Sequence, residues 1–354
     1  MKYQNFISDR TKFYKIPKPL QLELGGTLNH GEIAYRTWGT LNTKGDNAVL
    51  ICHGFSANAD ADIWWSELFG KGKTFDPSQD FIVSSNILGS CYGSTGAASI
   101  NPETGKAYGA SFPAITIRDM VRSQYTLMQG LNISQWKLVI GGSLGGMQTL
   151  EWALLYPELV KAIAVISASG RHSPWSIALG EIQRQAIYAD PLWHNGNYSD
   201  DLPPNQGLAI ARMIATCAYY SRPDFEQRFP REQNQVHNFA IADYLHAEGQ
   251  KLVQRFDANA YISLTKAMDT HDLGRERGNY QETLAKIHQP TLIVSNSADL
   301  LYYPEEQQEL AHWISNAELV ELDSIHGHDA FLIDQENLNS TLISLSSAEL
   351  TSVS

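Results

Sequence analysis

Along this chain, short uninterrupted apolar runs alternate with stretches whose apolar positions recur every three or four residues. The runs are NAVLICHG (47–54), DFIVSSNIL (80–88), WKLVIGG (136–142), VKAIAVISAS (160–169), PTLIVSNSA (290–298) and AELVELDSI (317–325). Being apolar on both faces and rich in Val and Ile, they predict strands of a parallel sheet buried between helices. The helical periods at 116–131 and 146–157 fit between them, as in a doubly wound α/β architecture. Two alternating segments, 20–26 and 32–39, flank an Asn-His-Gly turn signal and predict an antiparallel hairpin. From about 171 to 287 no buried strand is evident, whereas QGLAIARMIATCAYYS and ADYLHAEGQKLVQRF read as helices. This predicts a core formed by 1–170 and 288–354, with 171–287 inserted as a helical cap over the carboxyl edge of the sheet. The polar tail after Asn339 is expected to be loosely held.

With 354 residues, 43% of them hydrophobic, the chain can bury one large α/β core with an insertion or two ordinary domains. A formal net charge of −12 and the lack of a basic run argue against a nucleic-acid or anionic-membrane surface. The amino-terminal residues lack the apolar core of a signal peptide, and no stretch is long and apolar enough to span a bilayer. Three widely spaced cysteines, Cys52, Cys91 and Cys217, suggest neither a disulfide framework nor a zinc ribbon, and point to a reducing cytoplasm. The sequons at Asn132, Asn197 and Asn339 have no expected meaning there.

Candidate chemistry begins at KLVIGGSLGGMQTLEWA (137–153), which reads strand, turn, helix with G-x-S-x-G at Gly141, Ser143 and Gly145. A nucleophile elbow needs small neighbours because its serine sits on a sharp, strained turn. The following helix aims free N–H groups at charge developing there. A glycine-rich turn chosen for packing or phosphate binding is the plainer alternative; the strand-to-helix setting favours the elbow. Serine needs a base, and partners are expected in the order Ser, Asp or Glu, His. Asp299 follows the next-to-last strand and His326 and His328 follow the last, where an open α/β sheet gathers ligands. Gly327 frees the backbone beside His328, which is therefore assigned as the base, leaving His326 as a structural or rim residue. A metal site at His326, His328 and Asp329 lacks a second ligand cluster, so no metal is expected. The oxyanion donors are assigned to the backbones of Leu144 and Phe55. Cys52 and His53, adjacent on a strand, point to opposite faces, which assigns Cys52 to the core.

Several longer motifs join the elbow: NILGSCYGSTGAASINPETGKAYGASFPAITIRDMV (86–121), ARMIATCAYYS (211–221), RFDANAYISLTKAMDTHD (255–272) and GHDAFL (327–332). Together, from about 14 to 334, they resemble the homoserine O-acetyltransferases, an α/β-hydrolase-fold acyltransferase family of methionine biosynthesis. The resemblance implies a ping-pong reaction with acetyl-CoA as co-substrate and no bound cofactor. Ser143 takes the acetyl group, His328 acts as base and then acid, and Asp299 orients it. It also implies that Arg212 and Asp329 recognise the carboxylate and ammonium of homoserine, that Tyr219 lies near the substrate, and that the chain forms a homodimer through the cap. The plainer readings are a salt bridge on a cap helix for Arg212 and a helix N-cap for Asp329.

Departures from the family pattern bear on the donor. CHGF (52–55) stands where CHAL is usual, making Phe55 bulkier; Ala97 replaces a proline; and LGSC (88–91) replaces LGGC. LGSC occurs among relatives that use succinyl-CoA. No arginine free to bind a succinyl carboxylate is evident near 54–65, where Asp60 and Asp62 stand instead, which favours acetyl. Homoserine or serine O-succinyl transfer remains an alternative, as does an esterase using water with the same triad. A non-catalytic binding protein would not require a strained serine.

Overall fold

The structure, a computed structural model, describes residues 6–231, 233 and 238–349, with the side chains of 344–349 excepted. Ten strands form two sheets: β1 (Lys12–Lys15), β2 (Leu20–Gln21), β3 (Thr27–Leu28), β4 (Glu32–Trp38), β5 (Ala48–Cys52), β6 (Phe81–Ser85), β7 (Trp136–Gly142), β8 (Ile163–Ile166), β9 (Thr291–Ser295) and β10 (Ala317–Glu321). The large sheet has the order β1-β4-β6-β5-β7-β8-β9-β10. It is parallel from β6 to β10, and β4 is antiparallel to both of its neighbours. Every residue of β5 and of β8 is buried, as the unbroken Val and Ile runs require of strands covered on both faces. β10 is an edge strand with residues largely exposed, so the expectation of burial on both faces fails there.

The expected hairpin between 20–26 and 32–39 does not form. Gly25 and Gly26 both adopt positive φ, and the chain reverses there, so that β2 pairs with β3. β4 is paired instead with β1 and β6. The KFYK segment that forms β1 is short and half charged, which hid it. The tail after Asn339 is helical as far as Glu349, and residues 350–354 lie outside the described residues. Gln335–Glu349 is a helix that buries Leu338 and Leu342, spaced i, i+4, while Asn339 Oδ1 accepts from the Thr74 amide at 3.0 Å and hydroxyl at 2.9 Å.

Between β8 and β9 the described residues form helices and no strand of either sheet: Pro174–Tyr188, Asn205–Tyr219, Arg222–Arg228, Ala240–Arg255, Ala258–Asp269 and Tyr280–Leu284. Four starts are capped by side chains: Ser173 accepts from the Ser176 amide (3.3 Å), Ser221 from Asp224 (3.2 Å), Asp257 from Ala260 (2.8 Å) and Asn279 from Glu282 (3.0 Å). The apolar face of these helices joins Phe55, Leu144 and Met147 in one buried cluster. The insertion thus packs directly over the turn that follows β7.

A buried ion network ties the insertion's return segment to the core. Arg118, on helix Ile117–Gly130, donates to Glu23 Oε1 (2.5 Å) and Glu151 Oε1 (3.0 Å), and to the carbonyls of Asp272 (3.2 Å) and Arg275 (2.7 Å). Arg275 also reaches Glu23 at 2.9 Å and Arg277 reaches Glu151 at 2.6 Å. Removing one partner of such a pair strands the other charges away from water. Arg118→Met is expected to lower unfolding stability by about 3–5 kcal/mol. The Arg122–Asp119 pair, in which Arg122 is partly exposed and Asp119 keeps its bonds to the Thr116 and Glu23 amides, is the control, with Arg122→Ala costing about 1 kcal/mol or less. Urea unfolding of the two variants side by side checks the difference.

Candidate active site

Ser143 follows the last residue of β7 and precedes helix Leu144–Leu155, with φ 57° and ψ −127°. That conformation is costly for a residue with a Cβ and persists only where the surroundings enforce it. Here the enforcement is close backbone packing. A Cβ on Gly145 would lie 2.0 Å from the Cys52 carbonyl oxygen, and one on Gly141 would lie 2.4 Å from the Gly145 carbonyl carbon. The Ser143 amide donates to Ile166 O at 2.9 Å, pinning the elbow to β8. The turn after β5 comes alongside, since a Cβ on Gly54 would be 4.0 Å from that of Ser143. Neither the Phe55 nor the Leu144 amide donates to any described residue, so both remain available to a developing oxyanion.

His328 Nδ1 lies 2.8 Å from Asp299 Oδ2. The other Asp299 oxygen accepts the amides of Leu301 (2.8 Å) and Tyr302 (3.0 Å), so the carboxylate cannot turn away. The imidazole is enclosed by the rings of Tyr219, Tyr302 and Phe331 at 5.8, 5.4 and 5.8 Å. Burial in that cage pushes the His328 pKa down, but the Asp299 carboxylate outweighs it and the net shift is upward. Gly327 has φ +66°, and a Cβ there would meet the Tyr219 carbonyl oxygen at 2.8 Å. His326 is elsewhere, with its Nδ1 2.5 Å from Asp224 Oδ1. It is a structural tie to the insertion and does not line the cavity that Ser143 and His328 share.

Among the described residues no three His, Cys, Asp or Glu side chains converge to hold a metal ion. Cys52 is buried, and burial pushes its thiol pKa up to about 12. His53 is also buried, which pushes its pKa down to about 4. It accepts the Ile87 amide at Nε2 (3.1 Å), which leaves the Nδ1 proton for the Gly54 carbonyl (2.7 Å). A neutral histidine thus braces the turn that carries the Phe55 amide.

Ser143 and His328 open on a cavity of about 360 Å³ whose lining includes Arg212, Tyr219, Arg255 and Asp329. Arg212 lies over the Tyr219 ring at 5.2 Å and 3.6 Å from Glu248. Burial opposes its charge, yet Tyr219 and Asp329 hold its pKa above the usual value. Asp329 begins the helix Ala330–Ile333 but makes no side-chain capping bond, so the plain N-cap reading fails. Burial raises its pKa against the pull of His328 and Arg212. Burial likewise raises the Tyr219 hydroxyl.

Arg255 escaped the sequence reading. Its Nη1 donates to Ser56 O at 2.6 Å and to Tyr92 Oη at 2.5 Å. Arg255 thus approaches 54–65 from 199 positions away, already engaged by Ser56 and Tyr92. Asp60 and Asp62 are both engaged by Arg36, at 2.8 and 2.6 Å. The position of Arg255 at the start of the RFDANAYISLTKAMDTHD motif was the available signal.

The profile of the alpha/beta hydrolase fold matches residues 47–335. A homoserine O-acetyltransferase of Trichormus variabilis is 60% identical over 344 residues, covering 97% of this chain and 96% of its own. One from Nostoc punctiforme is 59% identical, covering 96% and 97%. The chain belongs to the homoserine O-acetyltransferase family. Among solved structures, the homoserine O-acetyltransferase from Bacillus anthracis superposes with a TM-score of 0.88 at 27% identity, covering 95% of this chain and 98% of that one. The acetyl esterase MekB superposes at 0.84 with 26% identity, covering 95% and 96%. One scaffold therefore serves homoserine O-acetyltransferases and an esterase alike, so the fold alone does not name the reaction.

The Asp299–His328 contact has a pH signature. The base is competent when neutral, above its pKa, and the Asp299 carboxylate raises that pKa. In Asp299→Asn the raising charge is gone, so the acidic limb of the kcat/KM profile should move to lower pH while the plateau falls about 10³- to 10⁴-fold. A pH–rate profile of the variant checks both; a limb that stays in place would detach it from His328.

Proposed function

We propose that the chain transfers the acetyl group of acetyl-CoA to the hydroxyl of L-homoserine. The observation that carries this is the sharing of one cavity by Ser143 and His328 with two partly buried groups of opposite charge, Arg212 and Asp329. A guanidinium and a carboxylate beside a nucleophile match the two charged ends of an amino acid. Water, the acceptor in an esterase, has neither. Alongside stands the 60% identity over nearly the full chain to a homoserine O-acetyltransferase.

In this reading Ser143 Oγ attacks the thioester carbonyl while His328 takes its proton. The amides of Leu144 and Phe55 receive the oxyanion. The carbon–sulfur bond breaks, and His328 returns the proton to the departing CoA thiolate. Homoserine then enters with its carboxylate on Arg212, its ammonium on Asp329 and Tyr219 alongside. Its hydroxyl gives a proton to His328 and attacks the acyl group; the ester bond to Ser143 breaks, His328 returns the proton to Ser143 Oγ, and O-acetylhomoserine leaves. Asp299 stays ionised throughout and steadies the imidazolium. Residues 171–287 act as a cap that excludes water and supplies Arg212 and Tyr219 to the site; 1–170 and 288–354 form the catalytic core. A cytoplasmic homodimer joined through the cap completes the proposal. Exposed apolar side chains on the insertion, among them Trp175, Ile182, Leu202 and Ile210, support such a contact, and three free thiols suit a reducing compartment.

Two experiments test it. Mixed with acetyl-CoA alone, the enzyme should show an acetyl adduct by mass spectrometry, and Ser143→Ala should show none; an adduct persisting in the variant would move the nucleophile elsewhere. Arg212→Leu should still form the adduct but pass it to homoserine about 10- to 150-fold less efficiently, the loss of one charge-assisted contact of roughly 1.5–3 kcal/mol. Rapid mixing resolves the two half-reactions. Equal loss in both would return Arg212 to a purely structural role.

A further inference from the structure

A second cavity, of about 30 Å³, lies behind the catalytic one, and Phe55 and Tyr219 line both. Within its largely apolar lining stand His172 and Asp269. His172 has a side chain 4% exposed, and neither ring nitrogen has a hydrogen-bond partner among the described residues. Its Nδ1 is 3.4 Å from Asp269 Oδ1, an oxygen that also has no hydrogen-bond partner among them. The other Asp269 oxygen is held by Arg184 at 2.6 Å. A space the size of one water molecule, faced by buried groups that need hydrogen bonds, is the setting in which proteins hold internal water.

On the catalytic side, the proposed acyl-serine is an ester that a water molecule could cleave. Water would give its proton to His328 and attack the carbonyl; the bond to Ser143 Oγ would break, Ser143 would recover the proton, and acetate would leave. The Phe55 ring is fixed between the two volumes by an edge contact to Tyr261 (4.7 Å) and a tilted contact to Phe256 (6.0 Å). We infer that the small cavity is a water site and that the Phe55 side chain determines acceptor choice, keeping that water from the acyl group on Ser143 so that homoserine is acylated rather than water. The inference rests on the acyl-transfer reading above. It gives the side chain at position 55 a role separate from that of its amide.

The test measures acetate and O-acetylhomoserine formed from acetyl-CoA, with and without homoserine. Phe55→Ala should raise the ratio of acetate to O-acetylhomoserine about tenfold or more, and Phe55→Leu, the milder change if Ala fails to fold, should give a smaller rise in the same direction. Gly180→Ala supplies the second arm, because its methyl would stand 3.5 Å from Asp269 Oδ1 and 3.3 Å from Arg184 Nη1, inside the small cavity. Combined with Phe55→Ala, it should return the ratio toward that of the unaltered enzyme. An unchanged ratio in both Phe55 variants overturns the inference, as does an elevated ratio that Gly180→Ala leaves untouched, since water then comes from the cavity mouth. Absence of an acetyl adduct in the unaltered enzyme would instead defeat the acyl-transfer reading itself.

Discussion

The contact between the backbone of Gly145 and the carbonyl of Cys52 is the constraint from which the site follows. With room for no side chain between them, the start of helix Leu144–Leu155 is pressed against the end of β5, and Ser143 is forced into its left-handed conformation. The same approach brings the 53–56 turn beside the serine. That turn would be free to move were it not braced by buried His53, which is bonded on one side to Ile87 and on the other to Gly54. The amides of Leu144 and Phe55, the proposed oxyanion donors, are therefore positioned by backbone packing and one neutral imidazole. Preorganisation of this kind requires no rearrangement when charge develops.

The base arrives by a different route, and the insertion governs it. Gly327 lies so close to the Tyr219 carbonyl that only glycine fits. Ser221 donates to the carbonyl of Ile325 and Asp224 engages His326. The loop bearing His328 is thus clasped at consecutive residues by the segment that carries Tyr219 and follows Arg212. Arg255, at the other end of the insertion, grips the Ser56 carbonyl. Nucleophile, base and charged lining belong to separate parts of the sequence but are locked by the same cap-to-core contacts. Changes in the cap are consequently changes in catalytic geometry.

This division explains what the sequence disclosed. The parallel strands were legible because β5 and β8 are buried on both faces and wrote continuous apolar runs. Ser143 and Asp299 stood out as candidates because each follows a buried strand, whereas His328 follows the exposed edge strand β10 and was marked by Gly327 beside it. Positions without a local signature stayed hidden. β1 is four residues of KFYK whose only reason to be a strand is the neighbouring β4. Arg255 reaches Ser56 across 199 positions, and nothing local announces such a contact. The tail after Asn339 was read from its polarity, whereas Leu338 and Leu342 alone, one turn apart, suffice to dock a helix.

Position 55 shows how two demands can meet on one residue without conflict. Its amide must face the oxyanion, which fixes the backbone; its side chain then has to point into the insertion, where Tyr261 and Phe256 receive it. A smaller side chain would leave the donor in place while thinning the partition between the acyl group and the polar cavity at His172 and Asp269. The overall backbone is shared with an acetyl esterase, and so cannot by itself distinguish the two reactions. Exclusion of water can, because an acyl-enzyme discriminates between acceptors only as long as the more abundant one is kept out. The bulk at position 55 is therefore understood as part of acceptor selection, and the charges on Arg212 and Asp329 as its complement: one keeps water away, the other holds the amino acid in place.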